Sequence, residues 1–496
     1  MPQFRSHHND EPEKRRRWLP SPSSLLAAVT GRHDQQAPTR GAIDRVAGRL
    51  FDQTDIRSLV YFRVAFGAIS LWEVYRYFNH GWISRTYIKP KLHFTYSGFS
   101  WVRPWPGNGM HLHFLGLGAT ATLITVGLWY RAAAILFAAG FTYVFLLEKT
   151  RYLNHFYLIS LVSWLMVVIP ANRAGSLDAW FKPALRSGSA PKWALWLLVG
   201  QIAIAYFFGG VAKINWDWLR GEPMRRWVAQ CAHIPIIGRY VHEEWMVKMF
   251  VYGGLLFDLC IVPLMLWRRT LPLSLPFVFS FHLMNDRLFR IGIFPWFMMA
   301  STVLFLPTSW LPWPQSWSGS DQLLPTRSLT DAQRAGAVML AAYALFQILM
   351  PLRHHLYPGN VSWTEEGHRF SWHMKLRSKR GTAVFVVTDP ASGRVWRIDP
   401  GKHLTRSQHQ KMATHPDMIL QFVRFLERRY AAAGYPNVEV RAEVMVSLNG
   451  RTPQPMIDAD VDLTKVRLTL RPSPWIVPLY EPLPIRAGTR QQATLA

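Results

Sequence analysis

Lys213 closes an apolar run, "AYFFGGVAKINWDW", four residues after Gly209 and three after Gly210. On a helix those glycines share the lysine's face, which leaves room for a second backbone or a flat ligand beside the amine. An amine in this place has two uses. It can pair with Asp217, one turn further on, at the helix end. It can also sit in a low-dielectric pocket, where desolvation favours the neutral amine and makes it a base near neutral pH. Two more constellations point to the second use. Asn154-His155 opens the apolar run "NHFYLISLVSWLM", and His282 and Asn285 stand three apart in "FHLMNDRLF", on one helical face. Two His/Asn pairs and a lysine on three helices predict a shared polar cavity. The histidines lack the carboxylate or cysteine spacing of a metal site, so no metal is expected.

Other ionisable residues inside apolar runs each ask for a partner. Arg63 and Glu73 read as an interhelical ion pair or as headgroup contacts. Asp258, in "GGLLFDLCIVPL", reads as a hydrogen bond to a neighbouring helix. His354-His355 read as interfacial.

The elements that must position these residues follow from composition. The chain has 496 residues, half of them hydrophobic and 14% aromatic. The apolar residues fall in blocks separated by short polar stretches, the pattern of membrane-spanning helices. Nine segments qualify, at about 58–78, 111–130, 132–147, 153–170, 193–213, 250–267, 271–285, 291–306 and 335–352. Several are shorter than a straight span needs, so eight or nine spans are expected. The expected fold is a polytopic α-helical membrane protein with a C-terminal α+β, β-rich extramembrane domain.

Domain boundaries are expected as a basic disordered tail over 1–50, a membrane domain over 51–357, a β-rich domain over 358–480 and a disordered tail over 481–496. In the β-rich part, Val438 to Leu448 alternate with mostly polar residues, and Val466, Leu468 and Leu470 repeat the alternation, which predicts two strands. "TAVFVVT" and "RVWRI" flank a turn at Asp389–Gly393 and predict a hairpin. "DMILQFVRFLERRYAAAG" predicts an amphipathic helix with a glycine stop.

The formal net charge of +26 is spread over loops and the extramembrane part. No nucleic-acid-binding motif accompanies it, so anionic lipid headgroups are the expected partners. Lys14-Arg15-Arg16-Arg17 lies in a polar amino-terminal tail, which predicts no cleavable signal peptide and a cytoplasmic amino terminus. Cys231 and Cys260 have no metal-ligand spacing and are not expected to bridge.

Several segments resemble a known family. "GQIAIAYFFGGVAKINWDWLRGEPM", "LLEKTRYLNHFYL", "PANRAGSLDAW" and "HLMNDRLFRIGIFPWFMMAS" are similar to segments of the vitamin K-dependent γ-glutamyl carboxylases. The similarity runs on through "RFSWHMKLRS", "DPGKHLTRSQHQKMATHPDM" and "VMVSLNGR" to about Pro478, covering everything but the tails. The resemblance implies a reduced vitamin K cofactor (phylloquinone or menaquinone hydroquinone), with O2 and CO2 as co-substrates. In such enzymes O2 converts the hydroquinone to its 2,3-epoxide through an alkoxide that removes the γ-proton of a peptide glutamate, and the carbanion captures CO2. The position of Lys213 is then that of the initiating base, and His155, with Asn154 beside it, belongs to the carboxylation half. To these we add Gly209, Gly210, Trp216, His282 and Asn285 as the expected cofactor-binding wall, with His155 and His282 as donors to the glutamate carboxylate.

Departures from the family pattern matter. No cysteine follows Cys260, so the disulfide that ties the two parts of the animal enzymes together cannot form. Arg220 stands where the pattern carries an acidic residue. These features, with the short tail, imply a bacterial member in the inner membrane, its C-terminal domain opposite the cytoplasm. The implied partners are a glutamate-containing polypeptide, docking by strand addition, a lipid quinone and membrane lipids, with no nucleic acid. Two alternatives stay open: a quinone epoxidase that does not carboxylate, and a non-catalytic lipid-binding or transport protein. The chain shows no internal repeats of the transporter kind.

Overall fold

The computed structural model describes residues 47–484 except 236, 315, 316 and 318–328. Most of the tails expected at 1–50 and 481–496 lie outside these residues.

All nine apolar segments fold as helices. They are α1 (Arg57–Asn79), α2 (Gly109–Val126), α3 (Tyr130–Leu147), α4 (Asn154–Val168), α5 (Lys192–Val211), α6 (Glu244–Leu266), α7 (Leu271–Phe289), α8 (Phe294–Ser301) and α9 (Asp331–Leu352). Among the described residues five are long and apolar enough to cross a membrane: α2, α3, α5, α6 and α9, the last with its 3-10 extension to Leu356. Four of the nine expected segments fall short of that length or apolarity. α4 has 15 residues, α8 is short even with the 3-10 turn to Phe305, and α1 carries Arg63, Glu73 and Arg76 in its body.

Arg63 and Glu73 do not pair with each other. The Arg63 guanidinium is buried and donates to the carbonyls of Ala171 at 2.8 Å and Gly175 at 2.5 Å. Glu73 pairs with Arg76 on its own helix at 2.7 Å. A cation buried in this way needs carbonyl acceptors in place of water, and the turn after α4 supplies them. The start of α1 is pinned to α5 by a short antiparallel pair, β1 (Gln53–Asp55) with β2 (Ser189–Pro191).

The carboxyl-terminal part contains an antiparallel sheet in the order β4-β3-β5-β6, from β3 (Lys379–Thr388), β4 (Val395–Ile398), β5 (Glu439–Leu448) and β6 (Gln454–Pro455). β3 and β4 form the expected hairpin around Asp389, whose carboxylate accepts from the Ser392 backbone N–H at 3.0 Å. The alternation along β5 sends Val440, Ala442, Val444, Val446 and Leu448 inward. Against them packs α10 (Pro416–Ala432), with Phe422 and Phe385 ring centroids 4.8 Å apart. Gly434, at φ 94°, ends the helical run as its lack of Cβ allows.

The second expected strand does not form. Residues 466–470 are irregular, and Leu470 is 91% exposed. The Val466 carbonyl accepts from Arg424 of α10 at 2.6 Å instead of from a neighbouring strand. Alternation alone does not make a strand where no sheet edge is offered.

Candidate functional site

α5 runs out at Val211, and Asn215 caps the short helix Trp216–Leu219 by accepting from the Trp218 N–H at 3.0 Å. Lys213 lies in the bend between the two and is 7% exposed. Its ammonium meets the carboxylate of Asp258, from the middle of α6, and also the Gly209 carbonyl at 3.3 Å. The Trp218 ring centroid is 5.5 Å from Nζ, and the indole N–H anchors that ring to α6 through the Val251 carbonyl at 3.1 Å. The surface pair of Lys213 with Asp217 is therefore absent. Asp217 turns the other way and is held by Arg451.

The two glycines admit α6. A Cβ on Gly210 would lie 2.7 Å from the Leu259 side chain and 3.2 Å from its backbone nitrogen. One on Gly209 would lie 3.3 Å from the Asp258 carboxylate and 2.5 Å from the Met374 methyl. The close approach predicted on this face is thus made by a neighbouring helix and by Met374. Trp216 stands outside the cavity, 66% exposed, with the Arg220 guanidinium 4.2 Å over its ring. Trp218 takes the place expected for it.

Lys213 and Asp258 open onto a cavity of about 600 Å³ among α5, α6, α7 and α8. Its walls are mainly aromatic and aliphatic, and Phe257 and Phe281 stack in them at 3.7 Å. The polar groups converge from different helices. His282 and Asn285 of α7 both line the cavity, as their spacing predicted. Tyr206 Oη and His282 Nε2 share a hydrogen bond of 2.7 Å, and His282 Nδ1 has no partner among the described residues.

Asn154 and His155 are not in the cavity wall. The Phe294 ring neighbours both histidines, 5.7 Å from His155 and 6.1 Å from His282. Beside Phe156 and Ile159 of α4, a small cavity of about 30 Å³ is bordered by Glu73, Glu148 and Arg151. Asn154 has a connecting role. It donates to the His373 carbonyl at 3.1 Å and accepts from Tyr152 Oη at 2.9 Å, and Tyr152 in turn accepts from the Phe370 N–H at 2.6 Å.

Those bonds hold a strap, residues 367–375, that the sequence did not reveal. Phe370, Trp372 and Lys375 have φ of 65°, 56° and 53°, a conformation that costs a non-glycine residue roughly 1–3 kcal/mol. The strain carries Met374 and Lys375 into the cavity wall. Within the strap His373 is buried, and burial, with His354 alongside, pulls its imidazole down to about 3. His354 packs on it at 4.7 Å between ring centroids. Among the described residues no group of three or more His, Cys, Asp or Glu side chains is placed to hold a metal ion. Cys231 and Cys260 are free thiols.

Fold and site together define a helical membrane protein with an apolar internal cavity, an amine–carboxylate pair in its wall, and a small sheet domain reaching into it. Residues 51–310 match the HTTM domain, and residues 332–482 match the family described as vitamin K-dependent gamma-carboxylase, lumenal domain. The chain belongs to the vitamin K-dependent γ-carboxylase family. It is a carboxylase-like protein of the membrane, and its family implies a reduced vitamin K cofactor and a glutamate-containing substrate. No solved structure matches it.

Proposed function

We propose that this protein is a γ-glutamyl carboxylase that couples epoxidation of reduced vitamin K to carboxylation of peptide glutamate. One observation carries the reading: a buried lysine faces an apolar cavity large enough for a bicyclic ring. Ligand pockets typically enclose about 300–1,000 Å³, and this one encloses about 600 Å³. The exposed apolar side chains of Leu256, Leu264 and Phe277 lie along it on α6 and α7, where an isoprenoid or phytyl tail could leave toward lipid. Phe257, Phe281 and Trp218 would hold the ring, and Lys213 would meet its hydroxyl.

When bound and oxidised by O2 to the 2,3-epoxide, the hydroquinone supplies a base strong enough for a glutamate γ-proton, which no side chain could remove. The chain's own residues do the rest. Lys213 takes the first proton. The aromatic walls keep water from the reacting centre. The Tyr206–His282 pair and Asn285 offer hydrogen-bond donors where negative charge develops. His155, beside Phe294, serves the carboxylation half, with Asn154 holding the strap.

The polypeptide substrate would meet the sheet domain. β4 is an edge strand whose outer side is open to strand addition. We place the chain in a bacterial inner membrane, amino terminus in the cytoplasm and sheet domain on the opposite side.

The test is purified protein with reduced vitamin K, O2, labelled bicarbonate and a glutamate-rich peptide. Wild type forms both epoxide and labelled γ-carboxyglutamate, and Lys213→Ala forms neither. Epoxide without label identifies a quinone epoxidase. Neither product from the wild type overturns the reading.

A further inference from the structure

We propose that Asp258 is the proton partner of Lys213, so that the base facing the cavity is the pair and not the amine alone. The inference rests on the reading of Lys213 as the initiating base. Both groups are buried, at 7% and 5% exposure, and come from different helices separated by 45 residues of chain. Asp258 is the only carboxylate among the described residues lining the cavity.

The other charged or titratable groups near the amine are accounted for. Asp217, one turn beyond, is taken by Arg451 and Asn449. Tyr206, on α5, and His282, on α7, occupy each other. Lys375 of the strap is a second cation on the same wall, with its ammonium over the rings of Trp227 and Phe289. The remaining contacts of Lys213 Nζ are the Gly209 carbonyl and the face of Trp218.

A lone ammonium in such a cavity is costly, whereas a pair can hold one proton in two ways at the same net charge. In one, Nζ carries it and Asp258 is a carboxylate. In the other, an N–H bond has broken with its electron pair left on Nζ, and an O–H bond has formed on the carboxyl. The second arrangement presents a free amine without creating charge in the cavity and without water. Once the amine has taken a proton from a bound acid, the pair holds two protons, one on Nζ and one on the carboxyl, and its single positive charge faces the anion left behind. Gly209 keeps this contact open, since any Cβ there would stand 3.3 Å from the same carboxylate oxygen.

The test uses full-length protein in detergent, without quinone. Arylation of Lys213 by 1-fluoro-2,4-dinitrobenzene at neutral pH, resolved by peptide mapping, reports the free-amine fraction. Asp258→Asn removes the counter-charge, so labelling should be faster by about tenfold or more, while Asp258→Glu keeps the wild-type rate. Equal rates in wild type and Asp258→Asn overturn the proposal. Should Asp258→Asn fail to fold, Lys213→Met gives a second measurement. Its Asp258 should show the infrared C=O band of a protonated carboxyl, absent from the Lys213→Met/Asp258→Asn double variant. No such band overturns the proposal.

Turnover separates a proton partner from a helix tie. In Asp258→Asn the amine is freer but a weaker base, so labelling rises while epoxide formation falls. A mere tie predicts that they fall together. Since neither labelling nor the infrared band involves quinone, both can succeed while wild type forms no epoxide. That outcome would refute the carboxylase reading and leave the pair standing.

Discussion

Asp217 and Arg451 form a buried two-point ion pair, 2.7 Å at each oxygen, between the short helix Trp216–Leu219 and the turn after β5. Asn449 adds a third bond to the same carboxylate at 2.8 Å. Asp217 sits between Trp216 and Trp218, so this clamp fixes the ring that backs Lys213. Lys149 and Arg369 converge on Asp417 as a second clamp, at 2.5 and 2.8 Å.

Breaking the first clamp from one side leaves a buried charge without its partner. Arg451→Met should cost about 3–5 kcal/mol, read as a lower unfolding midpoint in detergent. Asp217→Leu combined with Arg451→Met should recover much of that loss, because no charge is then stranded. A double variant as unstable as the single one would contradict this.

Acid should loosen the sheet domain through Glu365. Burial pushes its carboxyl up, but Arg377 at 2.7 Å and Lys379 at 3.1 Å outweigh burial and hold it at about 2, against 4.5 ordinarily. A carboxyl held low in the fold stabilises above its unfolded value, and that stability drains away as the pH falls from 4.5 towards 2. The contribution is about 3 kcal/mol. Denaturant titrations across this window should show the decline, and Glu365→Gln should flatten it while lowering stability at neutral pH.

The two glycines of α5 should respond differently to alanine. Alanine favours the helix by about 1 kcal/mol. At Gly209 the nearest obstacle is the flexible end of Met374, which can move, so stability should change little and the damage should fall on the Lys213–Asp258 contact. At Gly210 the obstacles are the side chain and backbone of Leu259. Gly210→Ala should therefore destabilise the packing of α5 on α6, and unfolding midpoints of the two variants give the comparison.

Tyr206→Phe removes the only hydrogen bond of the His282 ring among the described residues. An unsatisfied buried polar group costs about 1–3 kcal/mol. The variant should lose stability of that order and weaken quinone binding, measured by fluorescence quenching of the cavity tryptophan. Unchanged binding would remove the Tyr206–His282 pair from the proposed site.

His155→Ala should separate the two half-reactions. Phe294 lines the large cavity and His155 does not, so epoxide should still form while incorporation of labelled CO2 falls by an order of magnitude or more. A parallel loss of both products would place His155 with Lys213 instead.

Much of the fold was legible because apolar blocks and the β5 alternation are local signals. Lys213 stood out because an amine after two glycines in an apolar run is costly without a reason. Its partner did not. Asp258 looked like a helix tie because periodicity says nothing about which of several helices it faces. The strap was invisible for a related reason: three non-glycine residues in a left-handed conformation are imposed by tertiary contacts from Tyr152, Asn154 and Arg353, against local preference. Trp216 and Trp218 flank one aspartate and cannot be told apart in the sequence, because only the helix cap at Asn215 sets their directions. Residues 466–470 were misread because alternation does not show whether a neighbouring edge is free.

Met374 and Lys375 carry a consequence for dissecting this molecule. Two of the groups enclosing the apolar cavity come from the segment that leads into the sheet, so the helical portion produced by itself would have a breach beside Lys213. Grafting the sheet portion of a distant relative onto these helices would change the shape of that cavity as well. On the proposed reading, a change of quinone and a change of polypeptide partner would both pass through this segment.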